Sequence, residues 1–146
     1  MARPNIIFLT TDQFRWDFYD QCAAAALRIP NISRLKNEGV TLTNAVSNCP
    51  ICLPTRFTWC HGLYANQAAE DLACNCHDWP DNVPSMPQAL QKAGYHTAII
   101  GKLHSHEGLY HRDLTSPEYI QNTKDRGFDH VFETCGKSLS FWFDCN

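Results

Sequence analysis

The chain has 146 residues, 44% hydrophobic and 18% charged, enough apolar material for one packed domain or one piece of a larger one. A formal net charge of -3 excludes a general nucleic-acid binder, which shows a basic face. No apolar stretch is long enough to span a membrane, and there is no low-complexity segment or internal repeat.

The first element is a short apolar run, Ile6-Ile7-Phe8-Leu9, which passes straight into Thr10-Thr11-Asp12. It lacks the small-residue cleavage site of a signal peptide, so a cytoplasmic protein is expected. Asn5 to Thr11 reads as a buried strand. Asp17 to Arg28 has helical character, with alanines at 23–26. Asn31 is the expected cap of a short helix through Leu35 and Lys36, closed by Gly39. Val40 to Val46 alternates and reads as a second strand, so that 5–46 forms a β-α-β unit. Pro54 suits the first turn of a helix running through Arg56 and Trp59 to Gly62. Residues 63–84 read as loop. Ser85 caps the next helix, with Met86, Leu90 and Ala93 on one face and Gly94 at its end. Tyr95 to Ile100 is a third strand, a helix starts near Ser116-Pro117-Glu118, and Phe128 to Phe132 is a further short strand. Strands alternating with helices imply an α/β layer with a mainly parallel sheet flanked by helices.

Sites in such sheets form beyond the carboxyl ends of strands. Three polar clusters fall there: Asp12 after the first strand, Cys52 and Arg56 after the second, Lys102 and His104 after the third. Asp12 can be a turn former or an oxygen ligand for a hard divalent cation, with Gln13 adding an amide oxygen. Cys52 lies at a helix N-terminus, whose N–H groups and dipole favour a thiolate and an anionic substrate. Arg56, one turn on, adds a fork of donors. The alternative for this pair is a buried structural cysteine beside a solvated arginine. Lys102 can clamp an oxyanion and His104 can protonate a leaving oxygen; alternation points both the same way if the chain stays extended. The eight cysteines are expected to be reduced thiols. A zinc module of Cys49, Cys52, Cys74, Cys76 and His77 is the competing reading, on poor ligand spacing.

Four segments, in order, resemble the sulfatase family. Cys52-Leu53-Pro54-Thr55-Arg56, with Gly62 six residues after the arginine, resembles the signature Cys-x-Pro-Ser/Ala-Arg and its glycine. Pro4 to Gln13 resembles the opening strand and metal aspartate. Gly101-Lys102-Leu103-His104 resembles a Gly-Lys-Trp-His segment, and Arg126-Gly127-Phe128-Asp129 a later Gly-Phe-Asp element. The resemblance covers nearly all of residues 1–146. It implies a fold similar to alkaline phosphatase, here incomplete, and hydrolysis of a small-molecule sulfate ester. It also implies that a formylglycine-generating enzyme oxidises Cys52 to formylglycine, whose hydrate attacks sulfur and later expels sulfate. Asp12 and Cys52 are then ligands of a divalent cation, commonly Ca2+, with Mn2+ in relatives that cleave phosphonates. Arg56 would hold the formylglycine, Lys102 a substrate oxygen, and His104 would orient or protonate.

The departures matter. Gln13 stands where many sulfatases have a second aspartate, and Asp-Gln is similar to the phosphonate monoester hydrolase and choline sulfatase branches. Thr55 replaces a small residue and Leu103 a tryptophan; Trp59, Cys60 and His61 are also unlike the family. The later metal pair of the family has no counterpart here, since Asp129-His130 belongs to the Gly-Phe-Asp element. The alternatives are therefore a phosphonate or phosphate ester hydrolase, or a truncated remnant that binds without catalysis. A partial sheet would expose an edge and an apolar face, which predicts oligomerisation.

Overall fold

The structure is a computed structural model that describes residues 3–19, 27–68, 72 and 74–136. It divides into two compact units, residues 1–45 and 46–146.

The first unit holds a 3-10 turn, Trp16–Tyr19, and helix α1, Pro30–Glu38. Asn5 to Thr11 forms no strand, and Ile7 and Leu9 are 86% and 80% exposed. Val40 to Val46 forms none either, and Val40, Leu42 and Val46 are exposed. Both expected strands, and the β-α-β unit built from them, are thus corrected. Apolar β-branched residues favour a pleated, packed surface, but a strand exists only where a neighbour completes its ladder. Helix α1 is present, but Ile29 stands at its N-cap without a side-chain bond, so Asn31 is not the cap. Pro30 at the first position sets the start instead. Most of the helical stretch expected at 17–28 lies outside the described residues.

The second unit contains α2 (Cys52–His61), α3 (Ala65–Ala68), α4 (Met86–Lys92), β1 (Ala98–Gly101), α5 (Pro117–Asp125) and β2 (His130–Glu133). Helix α3 interrupts the stretch expected to be loop. The strands pair in parallel, Ala98 with His130 through Gly101 with Glu133, so the β-α-β unit here is β1-α5-β2. Ile99 and Val131 pack on the core while Ile100 and Phe132 face outward, a period-two pattern. The core is Leu53, Phe57, Ala65, Leu72, Trp79, Leu103 and Phe128. Phe57 stacks on His61 at 4.2 Å and meets Trp79 edge-on at 5.9 Å. No helix among the described residues is long and apolar enough to cross a membrane.

Local chemistry explains the helix ends. Ser85 Oγ accepts from the Gln88 amide while Gln88 Oε1 accepts from the Ser85 amide, a full capping box for α4. In that helix Pro87 is buried and Leu90 half-buried, while Met86 and Ala93, expected on one face with Leu90, are exposed. Ser116 caps α5 by accepting from the Tyr119 amide, and Gly62 closes α2 at φ 68°.

Candidate active site

Helix α2 starts at Cys52, two residues before the expected Pro54, with extended Ile51 as its N-cap. Pro54 therefore occupies the third helical position, where an N–H has no intrahelical partner anyway. The Leu53 amide donates to Asn75 Oδ1 at 2.9 Å. The expected array of N–H groups at this helix end is thereby reduced. Pro54 has none, Asn75 takes that of Leu53, and partly buried Cys52 keeps the dipole end. On the same helix, burial pushes the Cys60 thiol up to about 12, against the nearby Arg56 charge. Cys60 is an inert packing thiol.

Arg56 lies one turn beyond Cys52 and is only 7% exposed, so the solvated-arginine alternative does not hold. Its guanidinium donates to the Lys102 carbonyl and sits 5.7 Å from the centre of the Trp59 ring. A buried charge needs such partners. This bond draws the first turns of α2 to the segment that leaves β1. Two of the three clusters read from sequence are therefore brought together.

The segment after β1 is not extended. The chain turns at Gly101 (φ 103°), buries Leu103 in the core and places His104 at φ 57°. Alternation consequently does not set the directions of Lys102 and His104. His104 is 3% exposed and Lys102 is intermediate. The amides of Leu103 and His104 both donate to Glu133 Oε1, at 3.0 and 2.8 Å. Tyr119 Oη donates to Glu133 Oε2 at 2.8 Å. Burial pushes the Glu133 carboxyl up, against those hydrogen bonds, and burial and Glu133 together push Tyr119 up. The His106 ring lies 5.3 Å from that of Tyr119, and its Nδ1 meets Asp78 Oδ2 at 2.9 Å. Asp78 also accepts from the Glu107 amide at 2.8 Å and from Arg112 at 3.3 Å.

Sequence reading missed Glu133, Asn75 and Asp78. Glu133 had a usable signal: it ends β2 as Gly101 ends β1, so it stands at the carboxyl edge of the same sheet. Asn75 and Asp78 had none, because their partners lie 22 and 28 residues away in sequence.

Asp12 belongs to the first unit. Asp12 and Gln13 adopt left-handed backbone, φ 41° and 40°. Such positions carry about 1–3 kcal/mol of strain in a non-glycine residue. Among the described residues no three His, Cys, Asp or Glu side chains come together as a metal shell. The zinc module of Cys49, Cys52, Cys74, Cys76 and His77 is therefore not formed; the Cys76 amide donates to Cys74 Sγ at 3.2 Å instead. For the same reason neither Asp12 nor Cys52 stands in a group that would hold a cation by itself. Asp129 accepts from the Thr97 amide at 2.8 Å and from Gln91 at 2.8 Å, which fits an anchor between β1 and β2.

A family model described as Sulfatase matches residues 4–142. The chain is 29% identical over 150 residues to the uncharacterized sulfatase YidJ of Escherichia coli (strain K12), covering 97% of this chain and 28% of that protein. It is 33% identical over 117 residues to an endo-4-O-sulfatase of Bacteroides thetaiotaomicron, covering 70% of this chain and 23% of the relative. A choline-sulfatase of Rhizobium meliloti is 25% identical over 147 residues, 97% of this chain and 28% of that protein. The chain thus spans 23–28% of the length of these relatives. No solved structure matches it.

Proposed function

Since this chain belongs to the sulfatase family, we propose that it carries the nucleophile-bearing part of a site that hydrolyses sulfate esters, with Cys52 as the nucleophile precursor. The observation that supports this most is the bond from the Arg56 guanidinium to the Lys102 carbonyl. It holds the Cys52 helix against the segment bearing Lys102 and His104, at the carboxyl end of β1. A sulfate there meets the Arg56 guanidinium on α2, the Lys102 ammonium and the His104 imidazole. Preorganised positive charge of this kind stabilises the charge that develops on sulfate oxygens and on the departing alcohol.

The roles follow from the side chains. Arg56, anchored by Lys102 and Trp59, holds its guanidinium on the helix one turn from position 52. Lys102 binds a sulfate oxygen. His104 orients the leaving oxygen or gives it a proton. Formylglycine, made from Cys52 by a formylglycine-generating enzyme, would supply a reactive hydroxyl that a thiol does not. Asp12 and position 52 are the donors we assign to a divalent cation, Ca2+ first and Mn2+ second. The described residues do not fit such an ion by themselves, so no step is routed through it.

Gln13 beside Asp12 favours a second reading, a phosphonate or phosphate ester hydrolase of the same superfamily. One experiment addresses both. The chain is co-produced with a formylglycine-generating enzyme, and the mass of the Cys52 peptide establishes modification. Release of phenol from an aryl sulfate and from an aryl phosphonate monoester is then followed. Turnover of the sulfate, abolished in Cys52→Ala, is expected. Faster turnover of the phosphonate selects the second reading. A modified protein that cleaves neither ester overturns both readings.

A further inference from the structure

Glu133 lies outside every motif of the resemblance, yet its carboxylate touches the candidate site from below. Oε1 accepts from two successive amides, Leu103 and His104, and Oε2 accepts from Tyr119 Oη. Successive N–H groups that converge on one oxygen form an anion-binding nest, and a nest requires left-handed backbone at one of its residues. His104, at φ 57°, is that residue. A β2-side bond adds to the grip: the Thr134 amide donates to the Gly101 carbonyl at 3.1 Å. Gly136 then passes so close to the Lys102 stem that a Cβ there would lie 2.9 Å from Lys102 Cδ. The end of β2 thus holds the Gly101–His104 segment at its backbone and along one side chain.

We propose that Glu133 is a positioning residue of the candidate site, whose carboxylate fixes the left-handed turn at His104 and so sets where Lys102 and His104 stand. The proposal rests on the functional reading above for what those side chains bind, but not for the geometry itself. Glu133 meets no reacting atom. It acts through the two amides, and Tyr119, braced by the His106 ring, keeps the carboxylate from rotating away. The titratable and charged groups facing it are Tyr119, His106 beyond that ring, and the Arg126 guanidinium. Glutamine at 133 keeps an acceptor at the Oε1 position. Aspartate keeps the charge but is one methylene short of spanning both amides and Tyr119. Geometry and charge are thereby separable.

The test uses the full 146-residue chain, labelled with nitrogen-15. In the wild type, the Leu103 and His104 amide protons are expected downfield, and both should move together as acid protonates Glu133. Inorganic sulfate is then titrated, with Lys102 and His104 signals as the readout. Sulfate affinity should fall at least tenfold in Glu133→Asp and Glu133→Ala, and return to within about threefold in Glu133→Gln, since an amide oxygen replaces a carboxylate oxygen as acceptor. A folded Glu133→Asp that binds sulfate like the wild type overturns the proposal. So do wild-type amides at 103 and 104 that ignore the titration, a result independent of whether any variant folds. A wild type with both amide signatures and no sulfate response supports the positioning and refutes the site reading instead.

Discussion

Asp78 and Glu133 sit at opposite ends of one polar chain and are pushed in opposite directions. At Asp78 burial raises the carboxyl, but hydrogen bonds from His106 and the Glu107 amide, with the Arg112 charge, outweigh it and hold it low. At Glu133 burial wins and holds it high. In the unfolded chain both titrate near the ordinary carboxylate value of about 4. A depressed folded value stabilises the fold above the unfolded one, and that stabilisation is lost as pH falls through the folded value. A raised folded value does the reverse: its contribution is complete below the unfolded value and is lost as pH rises through the folded one. Asp78→Asn should therefore be less stable than wild type at neutral pH, with the gap closing in acid below about pH 4. Urea unfolding across pH measures this, and a gap that stays constant into acid would refute the account. Apart from the place of Glu133 at the strand edge, this chain was not legible beforehand, because it joins residues up to 34 apart in sequence. Cys52, Arg56, Lys102 and His104 could be put forward as candidates from sequence because their motifs are local. What the motifs could not give was the αL turn at His104 or the capture of the Leu53 amide by Asn75, since both depend on distant partners.

At the scale of elements, the helices with punctuated ends were readable and the unpartnered strands were not. Ser85, Ser116, Gly62 and Gly94 carry their instructions within one turn, so those helix ends fall close to where the sequence places them. Asn5–Thr11 and Val40–Val46 carry only a propensity, and no ladder forms on it. The Arg126-to-Asp129 element shows a third case, a motif whose reason is packing. Gly127 has φ 106°, and a Cβ there would lie 2.4 Å from the Gln88 amide nitrogen and 2.8 Å from the Pro87 carbonyl carbon. Those atoms are backbone of α4 and cannot step aside cheaply. Ser85 Oγ donates to the Arg126 carbonyl at 2.7 Å, so α4 is fastened to the same turn. Gly127→Ala should then cost about 3 kcal/mol or more, from backbone strain and overpacking together. Ser85→Ala, which loses a cap and a buried bond, should cost about 1–3 kcal/mol. Urea midpoints test the ranking; a Gly127→Ala chain as stable as wild type would mean that α4 does not pack against this turn.

For the whole molecule, the exposed apolar surface is the property with the clearest consequence. Ile7, Leu9 and Val40 in the first unit are at least 80% exposed. In the second unit Ile100 and Phe132, paired across β1 and β2, are 74% and 56% exposed. Among the described residues the ladder has two strands, whose outer sides offer backbone donors and acceptors as a template for further strands. Apolar patches of this kind on a chain in water are covered by association. The 146-residue chain should accordingly self-associate at micromolar concentrations, with a sedimentation coefficient that rises with loading. Ile100→Thr with Phe132→Thr keeps β-branched or β-compatible residues in the ladder while removing the exposed apolar pair. If the sheet face drives association, this double variant should shift the concentration dependence toward monomer. A shift produced only by Ile7→Ser with Leu9→Ser would move the cause to the first unit. A wild-type chain that sediments as a monomer throughout would refute association through these side chains.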